Sequence, residues 1–554
     1  MALSLLWDDR PNLQDQPVFL FTQEFKMKKM FTILVALIFS SLAFAEGGHL
    51  IIAMNGKSEP ANLDSQLDPY DSAKVLNNFV ADRLVFINPN GAKYEPHLAK
   101  NWEISSNNLT WTFTLREDVK FHDGTNFNAE AVKYNIERIL NPDSGSGEAA
   151  AEFGNLESIE VVGEYQLKIT HSKPFANFLQ TLATQLVIWS PKALKENSVS
   201  EFSNKLIGTG PFTLEEWVPN NYAKFKKWPE YNWGPSIQQN KGPVKLEMIT
   251  VKFIDEEMVR GTIVSTGEAN LIWDTPAQFV SQYEGDPTYE VISGFQAGTG
   301  MQYVMNVTKA PLDNILIRKA IRYATNQKAL NDLVYEGRYL PMNGPLNSVH
   351  TCFNSAIENR YEYDLDKAKM LIEEAGYKDK DGDGIYESYG VAGMKDGTPL
   401  QVLWTALSRQ AKGEALQAQL RMAGIDLKLE IVPGPVQLER AQKKTFDLMY
   451  ERQRVPVPDV LHLVYHSGNT GPGGWAWTGF EDQNLDEILV EMKNTVVPSK
   501  ACDLAKQAQN IIQENAIQLP TMGQAMIYVH NTSVKNFQLG AQGGWFYVYN
   551  TYIE

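Results

Sequence analysis

Several groups of side chains in this chain are spaced for chemistry. His462 and His466 stand four apart in Asp459-Val-Leu-His-Leu-Val-Tyr-His. A helix would put both imidazoles on one face, a spacing that suits a metal ion. Position 463 is Leu where a zinc peptidase carries its Glu, so the other reading is a partly buried structural pair. Asp379, Asp381, Asp383 and Glu387 alternate around Gly382 and Gly384, like the first half of a calcium loop. Gly390 occupies the position of the usual closing Glu, which leaves a structural calcium site and a plain acidic turn both open. Arg452 and Arg454 suit a carboxylate or phosphate, because a guanidinium donates two parallel hydrogen bonds. Their alternative is a solvated charge run beside a strand. Trp404, and Trp475 with Trp477 in the glycine-rich stretch 473–479, are candidate aromatic walls for a ligand.

Signatures of catalysis are missing. No GxSxG elbow, phosphate loop or GxGxxG fingerprint occurs. Gly208-Thr-Gly-Pro-Phe212 is glycine-rich, but it lacks the Lys-Ser/Thr of a phosphate loop and reads as a turn. A secreted hydrolase stays open as a function class, without a motif in its favour.

The elements that position these residues are mixed. Leu109, Trp111, Phe113 and Leu115 alternate with threonines, which predicts a half-buried strand, and Tyr165, Leu167 and Ile169 predict another. Residues 128–139 read as a helix capped by Asn128. Ile317, Ala320, Ile321 and Ala324 form one apolar helical face. Leu365, Ala368, Leu371, Ile372 and Ala375 form another, started by Asp364 and stopped by Gly376. No 20–50-residue repeat is visible, which argues against solenoids and propellers.

The whole chain has 554 residues, 43% of them apolar, and a formal charge of -16. That is the composition of globular domains, and it argues against a general nucleic-acid binder, which needs a basic footprint. Lys26, Lys28 and Lys29 precede the apolar run 30–39 and Ala43-Phe-Ala45. Basic cluster, short apolar core and A-x-A site predict a secretory signal peptide cleaved after Ala45, with 1–26 as an upstream extension. The run is too short to span a bilayer, so no membrane insertion is expected. Cys352 and Cys502 are the two cysteines. Outside the cytoplasm they can form one disulfide; two separate buried thiols are the alternative.

An ordered series of blocks now decides the reading. Leu98-Ala-Lys-Asn-Trp102, Leu109-Thr-Trp-Thr-Phe-Thr-Leu-Arg116 and Val119-Lys-Phe-His-Asp123-Gly124 come first. Gly208-Thr-Gly-Pro-Phe212, Tyr231-Asn-Trp-Gly234, Arg318-Lys-Ala-Ile-Arg-Tyr-Ala324, Tyr363-Asp-Leu-Asp-Lys-Ala-Lys-Met-Leu371 and Gln419-Leu-Arg-Met-Ala-Gly-Ile425 follow. With these the chain resembles the bacterial extracellular solute-binding proteins of family 5, the oligopeptide-, dipeptide- and nickel-binding components of ABC importers. The resemblance implies an α/β, two-lobed periplasmic binding protein fold (type II, cluster C) with an extra inserted domain. Lobe I would comprise 46–84, 195–297 and 519–554, the inserted domain 85–194, and lobe III 298–518.

It also implies a function without chemistry on the ligand. Two lobes close on a hinge over a peptide or similar small polar solute and hand it, unaltered, to ABC permease subunits. The protein would be a periplasmic monomer with no required cofactor, calcium being structural at most. A nickel or metal-chelate binder is the alternative within the family. Peptide-binding relatives pair an acidic residue with the α-amino group; if Asp459 matches the aspartate of their "DP" pair, that position falls on Pro456 here. Glu59 resembles the early family strand bordering the cleft, a candidate partner for a cationic group. Together with Trp404, Arg452, Arg454, Asp459, Trp475 and Trp477 it makes the candidate ligand set.

Overall fold

Local signals explain where the elements begin. Asn128 caps the helix Ala129–Leu140 by accepting from the Ala131 amide at 2.9 Å. Asp364 caps Leu365–Glu374 through the Lys367 amide, and Gly376 follows at φ +94°. In the strand Thr110–Leu115, Trp111, Phe113 and Leu115 point inward while the threonines face outward. The computed structural model describes residues 47–554 apart from 69, 90–92, 407–409, 471–473 and 542–543. The predicted signal segment therefore lies outside the described residues. From Gly48 to Glu554 the chain forms one unit.

Three sheets organise it. The first runs Tyr289–Phe295, Ala525–Asn531, Leu271–Ile272, His49–Asn55, Met248–Ile254, Tyr222–Lys227 and Phe212–Val218, with parallel pairs only on either side of His49–Asn55. The helix Asp71–Val80 buries Val75, Leu76, Phe79 and Val80 in its core. The second sheet runs Leu340–Pro341, Gln518–Gly523, Met301–Met305, Leu448–Glu451, Gln401–Ala406 and Asp426–Ile431. Its faces carry separate cores, one containing Leu416 and Leu420 of the helix Gln410–Met422, the other Leu504, Ala505 and Ala508 of Pro498–Glu514. The third, Ala99–Ile104, Thr110–Leu115, Gln166–His171 and Leu156–Gly163, is antiparallel and covered by Ala129–Leu140.

The chain passes directly between the first two sheets twice. Tyr289–Phe295 leads into Met301–Met305, and Gln518–Gly523 leads into Ala525–Asn531. Residues 519–523, expected in lobe I, pair instead with Met301–Met305 in the second sheet, because their backbone completes that ladder.

The most specific family blocks are scaffold. Gly208 and Gly210 lie against the end of Asp71–Val80, where an added Cβ would sit 2.3 Å from the Val80 oxygen and 2.5 Å from its carbonyl carbon. Only glycine permits that approach. His122 accepts from the Gly208 amide at 3.3 Å and contacts the Gly210 oxygen at 2.9 Å, while Asp123 accepts from Ser190 Oγ at 2.6 Å. The His-Asp-Gly block thus fastens the third sheet's domain to the first. Cys352 and Cys502 are disulfide-bonded.

Candidate functional site

The two passages between the sheets run side by side: the Gln296 amide donates to the Gln524 oxygen at 3.2 Å. Gly298 has φ +143°, and a Cβ there would lie 2.0 Å from the Gln453 oxygen. Glycine is required because the backbone leaving the first sheet presses on the segment leaving the strand Leu448–Glu451. Thr299 ties the same two segments, its amide donating to Gln453 O at 3.0 Å and its hydroxyl accepting from the Gln453 amide at 2.9 Å.

Residues 451–459 then reach the other parts of the molecule. Arg452 hydrogen-bonds Gln524 on the second passage. Arg454 pairs with Asp71, the first residue of Asp71–Val80, at 3.0 Å; the two side chains are 32% and 30% exposed. Asp459 stands beside the Asn177 side chain from the third sheet's domain, and burial raises its carboxyl above the ordinary range. One segment therefore touches the hinge, the first sheet's lobe and the inserted domain.

Buried polar atoms collect here. Glu451 is 1% exposed; its Oε2 accepts from Gln302 Nε2 at 2.6 Å and Thr299 Oγ1 at 3.2 Å, and the Gln453 side chain is a third partner of the carboxyl. Tyr465 donates to Gln302 at 2.9 Å, so the amide is oriented from behind. Burial pushes the Glu451 carboxyl up to about 7, against the opposing pull of these hydrogen bonds and Arg452. The Gln453 side chain faces Glu451, Asn177 faces Asp459 and the Val457 backbone faces His350, whereas Gln296 Oε1 and Asn347 Oδ1 lack partners among the described residues. Each such group costs free energy unless water or ligand satisfies it.

The other expected residues are placed differently. Glu59 spends its carboxylate inside the first sheet's lobe, accepting from Trp217 Nε1 at 3.0 Å and the Asn220 amide at 2.8 Å. Trp404 is fully buried, 5.7 Å from the Tyr303 ring, and packs so closely on Gly413 that a Cβ there would meet its ring at 2.9 Å. Trp477 is buried with its indole N–H on Gly474 O at 3.0 Å, and Trp475 stacks on it at 4.8 Å. Both tryptophans with buried rings belong to cores, and Trp475 alone of the three keeps a partly open ring.

Sequence reasoning missed Asp71, Glu451, His350 and Lys412. Lys412 is 1% exposed at the start of Gln410–Met422; its Nζ donates to Thr521 Oγ1 at 2.7 Å and lies 4.9 Å from the Tyr303 ring centroid. Nothing in its sequence neighbourhood distinguishes it from a solvated helix lysine. Glu451 carried a weak signal: a charged residue ending the buried run Leu448-Met-Tyr.

Metal-type groups stand apart. His462 and His466 stack at 4.6 Å, and burial holds His462 down at about 3, so it is neutral. Asn469 covers its Nδ1 at 3.3 Å. Asp379, Asp381, Asp383 and Glu387 bring ligand oxygens within 4.8 Å of one another, the one convergent acidic or imidazole group among the described residues. Asp379 also accepts from the Gly382 and Gly384 amides, which shapes the turn.

Comparison with known proteins gives one answer at three levels. The profile of the family described as Bacterial extracellular solute-binding proteins, family 5 Middle, matches residues 93–474. The chain is 27% identical over 487 residues to the glutathione-binding protein GsiB of Salmonella typhi, covering 86% of this chain and 91% of that protein. Among solved structures it resembles NikA from Brucella suis in complex with Fe(III)-EDTA, with a TM-score of 0.80, 24% identity and coverage of 91% and 100%. It also resembles the periplasmic binding protein DppA from Helicobacter pylori in complex with the peptide STSA, with a TM-score of 0.74, 24% identity and coverage of 92% and 99%. The two-lobed fold follows.

The Glu451 environment carries a pH signature. A carboxyl raised from 4.5 in the unfolded chain to about 7 in the fold favours folding least when ionised. Its penalty grows as pH rises from about 4.5 and is complete above about 7. Glu451→Gln keeps the acceptor for Gln302 and removes the charge. The variant should melt about 2 °C or more above the parent at pH 8, with a gap near zero at pH 5. Equal gaps at both pH values in a thermal scan would refute the buried-charge account.

Proposed function

Because the chain belongs to the bacterial extracellular solute-binding proteins of family 5, we propose that it encloses a peptide or similar small polar solute between its lobes and delivers it intact to an ABC permease. The observation that carries this reading is the segment 451–459. It joins the hinge, the helix Asp71–Val80 and the inserted domain, and it sets the buried Glu451 and the half-buried Asp459 at that junction. The sheet connectivity supports a lobe I of 46–84, 195–297 and the C-terminal stretch after Gly523, an inserted domain of 85–194 and a lobe III from 298 to Gly523.

Charge sets the character of the guest. Arg454 is already matched by Asp71, so closure does not require an anionic ligand. Buried Glu451 and half-buried Asp459 present acceptor oxygens when ionised, which fit a ligand rich in N–H groups such as a peptide. Trp475 supplies an apolar surface. No helix among the described residues is long and apolar enough to cross a membrane. Export by the 1–45 segment and residence as a periplasmic monomer complete the reading.

The acidic loop 379–387 serves as structural support under this reading, holding a calcium ion rather than ligand. Calcium at 1 mM should raise the melting midpoint by about 1 °C or more over EDTA. Asp381→Asn with Asp383→Asn should abolish the rise. Identical midpoints with calcium and EDTA would remove the site.

The function is tested on protein 46–554 with reduced glutathione, the tetrapeptide Ser-Thr-Ser-Ala and nickel(II) with histidine, using calorimetry and native mass spectrometry. Saturable binding of glutathione or tetrapeptide, with the guest recovered intact, is expected. Peptide fragments would instead make the protein a hydrolase, and exclusive binding of the nickel mixture would make it a metal-chelate carrier. Asp71→Asn should weaken binding of the successful probe by about 3–10-fold and shift the unliganded melting point little, since a partly exposed ion pair contributes about 1 kcal/mol or less. Unchanged affinity would take this pair out of closure.

A further inference from the structure

One loop links the hinge to the ligand-closing segment. Residues 343–354 leave the strand Leu340–Pro341 and cross beneath both passages between the lobes. The Asn347 amide donates to Gly298 O at 3.1 Å, and its side-chain amide donates to Gln296 O. On the second passage, Gly523 packs closely on Asn347, where a Cβ would sit 3.3 Å from the asparagine side chain. Three residues on, His350 is 3% exposed, its amide donating to Asn347 O at 3.0 Å. Its Nδ1 accepts from the Cys352 amide at 3.0 Å, and the Val457 backbone lies against its ring. Burial holds the imidazole neutral, its pKa near 4, so it serves as a hydrogen-bonding strut.

The far end of this loop is anchored. Cys352 is bonded to Cys502 in Pro498–Glu514, a helix that shares one core of the second sheet with it. Gln509 of the same helix donates to Cys352 O at 2.8 Å and accepts from the Asn354 amide at 3.1 Å. Arg322 and Gln513 both donate to Asn343 O at the loop's start. Both ends are therefore fixed to one rigid helix, while the tip touches Gln296, Gly298 and Val457.

We infer that the loop 343–354 is a disulfide-anchored brace that holds the segment 451–459 in register with the hinge, with Asn347 and His350 as positioning residues for closure over the ligand. The inference rests on the proposed reading of 451–459 as the ligand-closing segment. A ligand pushing on 451–459 would otherwise move that segment alone. Held by His350 and Asn347, the segment and the strand passage at Gln296 and Gly298 shift as one body, so seating of the guest reaches the hinge.

Two histidine substitutions separate the brace from simple loop stability. Asn at 350 keeps an oxygen that accepts from the residue 352 amide, the ordinary Asx turn, but is too short to reach Val457. Gln at 350 keeps an amide long enough to reach Val457. Amide hydrogen exchange on the full mature chain, without ligand, reads the outcome. In His350→Asn, and in the paired Cys352→Ser with Cys502→Ser, peptides covering 298–302 and 451–458 should exchange about tenfold faster or more. The strand His49–Asn55 should keep parental rates, and His350→Gln should restore protection at 451–458. Parental rates at 451–458 in His350→Asn would overturn the brace. A uniform acceleration reaching His49–Asn55 would also overturn it, leaving a stability role only. Because this readout needs no ligand, it fails independently of the site assignment: faster exchange in His350→Asn with undiminished affinity for glutathione or Ser-Thr-Ser-Ala would keep the brace and retire 451–459 as the closing segment.

Discussion

Two lobes joined by two short strand passages can swing only if the passages stay paired and the chain beside them stays close. Here that constraint reduces to a few backbone contacts: Gln296 with Gln524, Thr299 with Gln453, and Gly298 pressed on the Gln453 oxygen. The strand Leu448–Glu451 ends where the first passage begins, so the segment after it is placed by the hinge itself. The contacts of Arg452, Arg454 and Asp459 all follow from that exit. A side chain at 298 would push the exit outward and disturb each of them together.

Charge is handled differently on the two sides of the exit. At the surface Arg454 meets Asp71 in a partly exposed pair, which aligns the lobes but supplies little net energy. Inside, Glu451 is buried with its carboxyl pushed up to about 7, its amide partner fixed in turn by Tyr465. Exposed pairs are easily remade in water, whereas a buried carboxyl rewards a group that pairs with it. Under the proposed function, orientation comes from the first kind of contact and selectivity from the second.

Much of the scaffold was legible because it rests on local physics. Asn128 and Asp364 announce helix starts, alternating Trp111, Phe113 and Leu115 announce a strand, and Gly208 and Gly210 mark a close approach that the family block preserves. The site was less so. Trp404 reads as a cleft wall or a core residue alike, since a strand's period does not tell which apolar face is covered. Arg454 looked free, and its partner Asp71 lies in another lobe, beyond any sequence window. Glu59 spends its carboxylate on Trp217 and Asn220, contacts that no sequence window shows. The resemblance pointed to the stretch 451–460, and its alignment of Asp459 placed the amine-binding position at Pro456. The cysteine pair was readable as a pair, but its value lies in what Cys352 holds, and His350 is visible only in three dimensions.

The sum of these contacts argues for a closed form that is marginal without a guest. Exposed pairs between lobes contribute about 1 kcal/mol or less, and each buried polar atom left without a partner costs about 1–3 kcal/mol. Gln296 Oε1 on the first passage and Asn347 Oδ1 beside it are such atoms. An empty closed state therefore loses on its interior what it gains at its rim. A ligand that completes the interior atoms reverses the balance, and only by the difference between its affinities for the closed and open forms. Under the proposed function, selectivity and closure then have the same physical source, so a guest that fits poorly fails to close the lobes rather than merely binding less tightly.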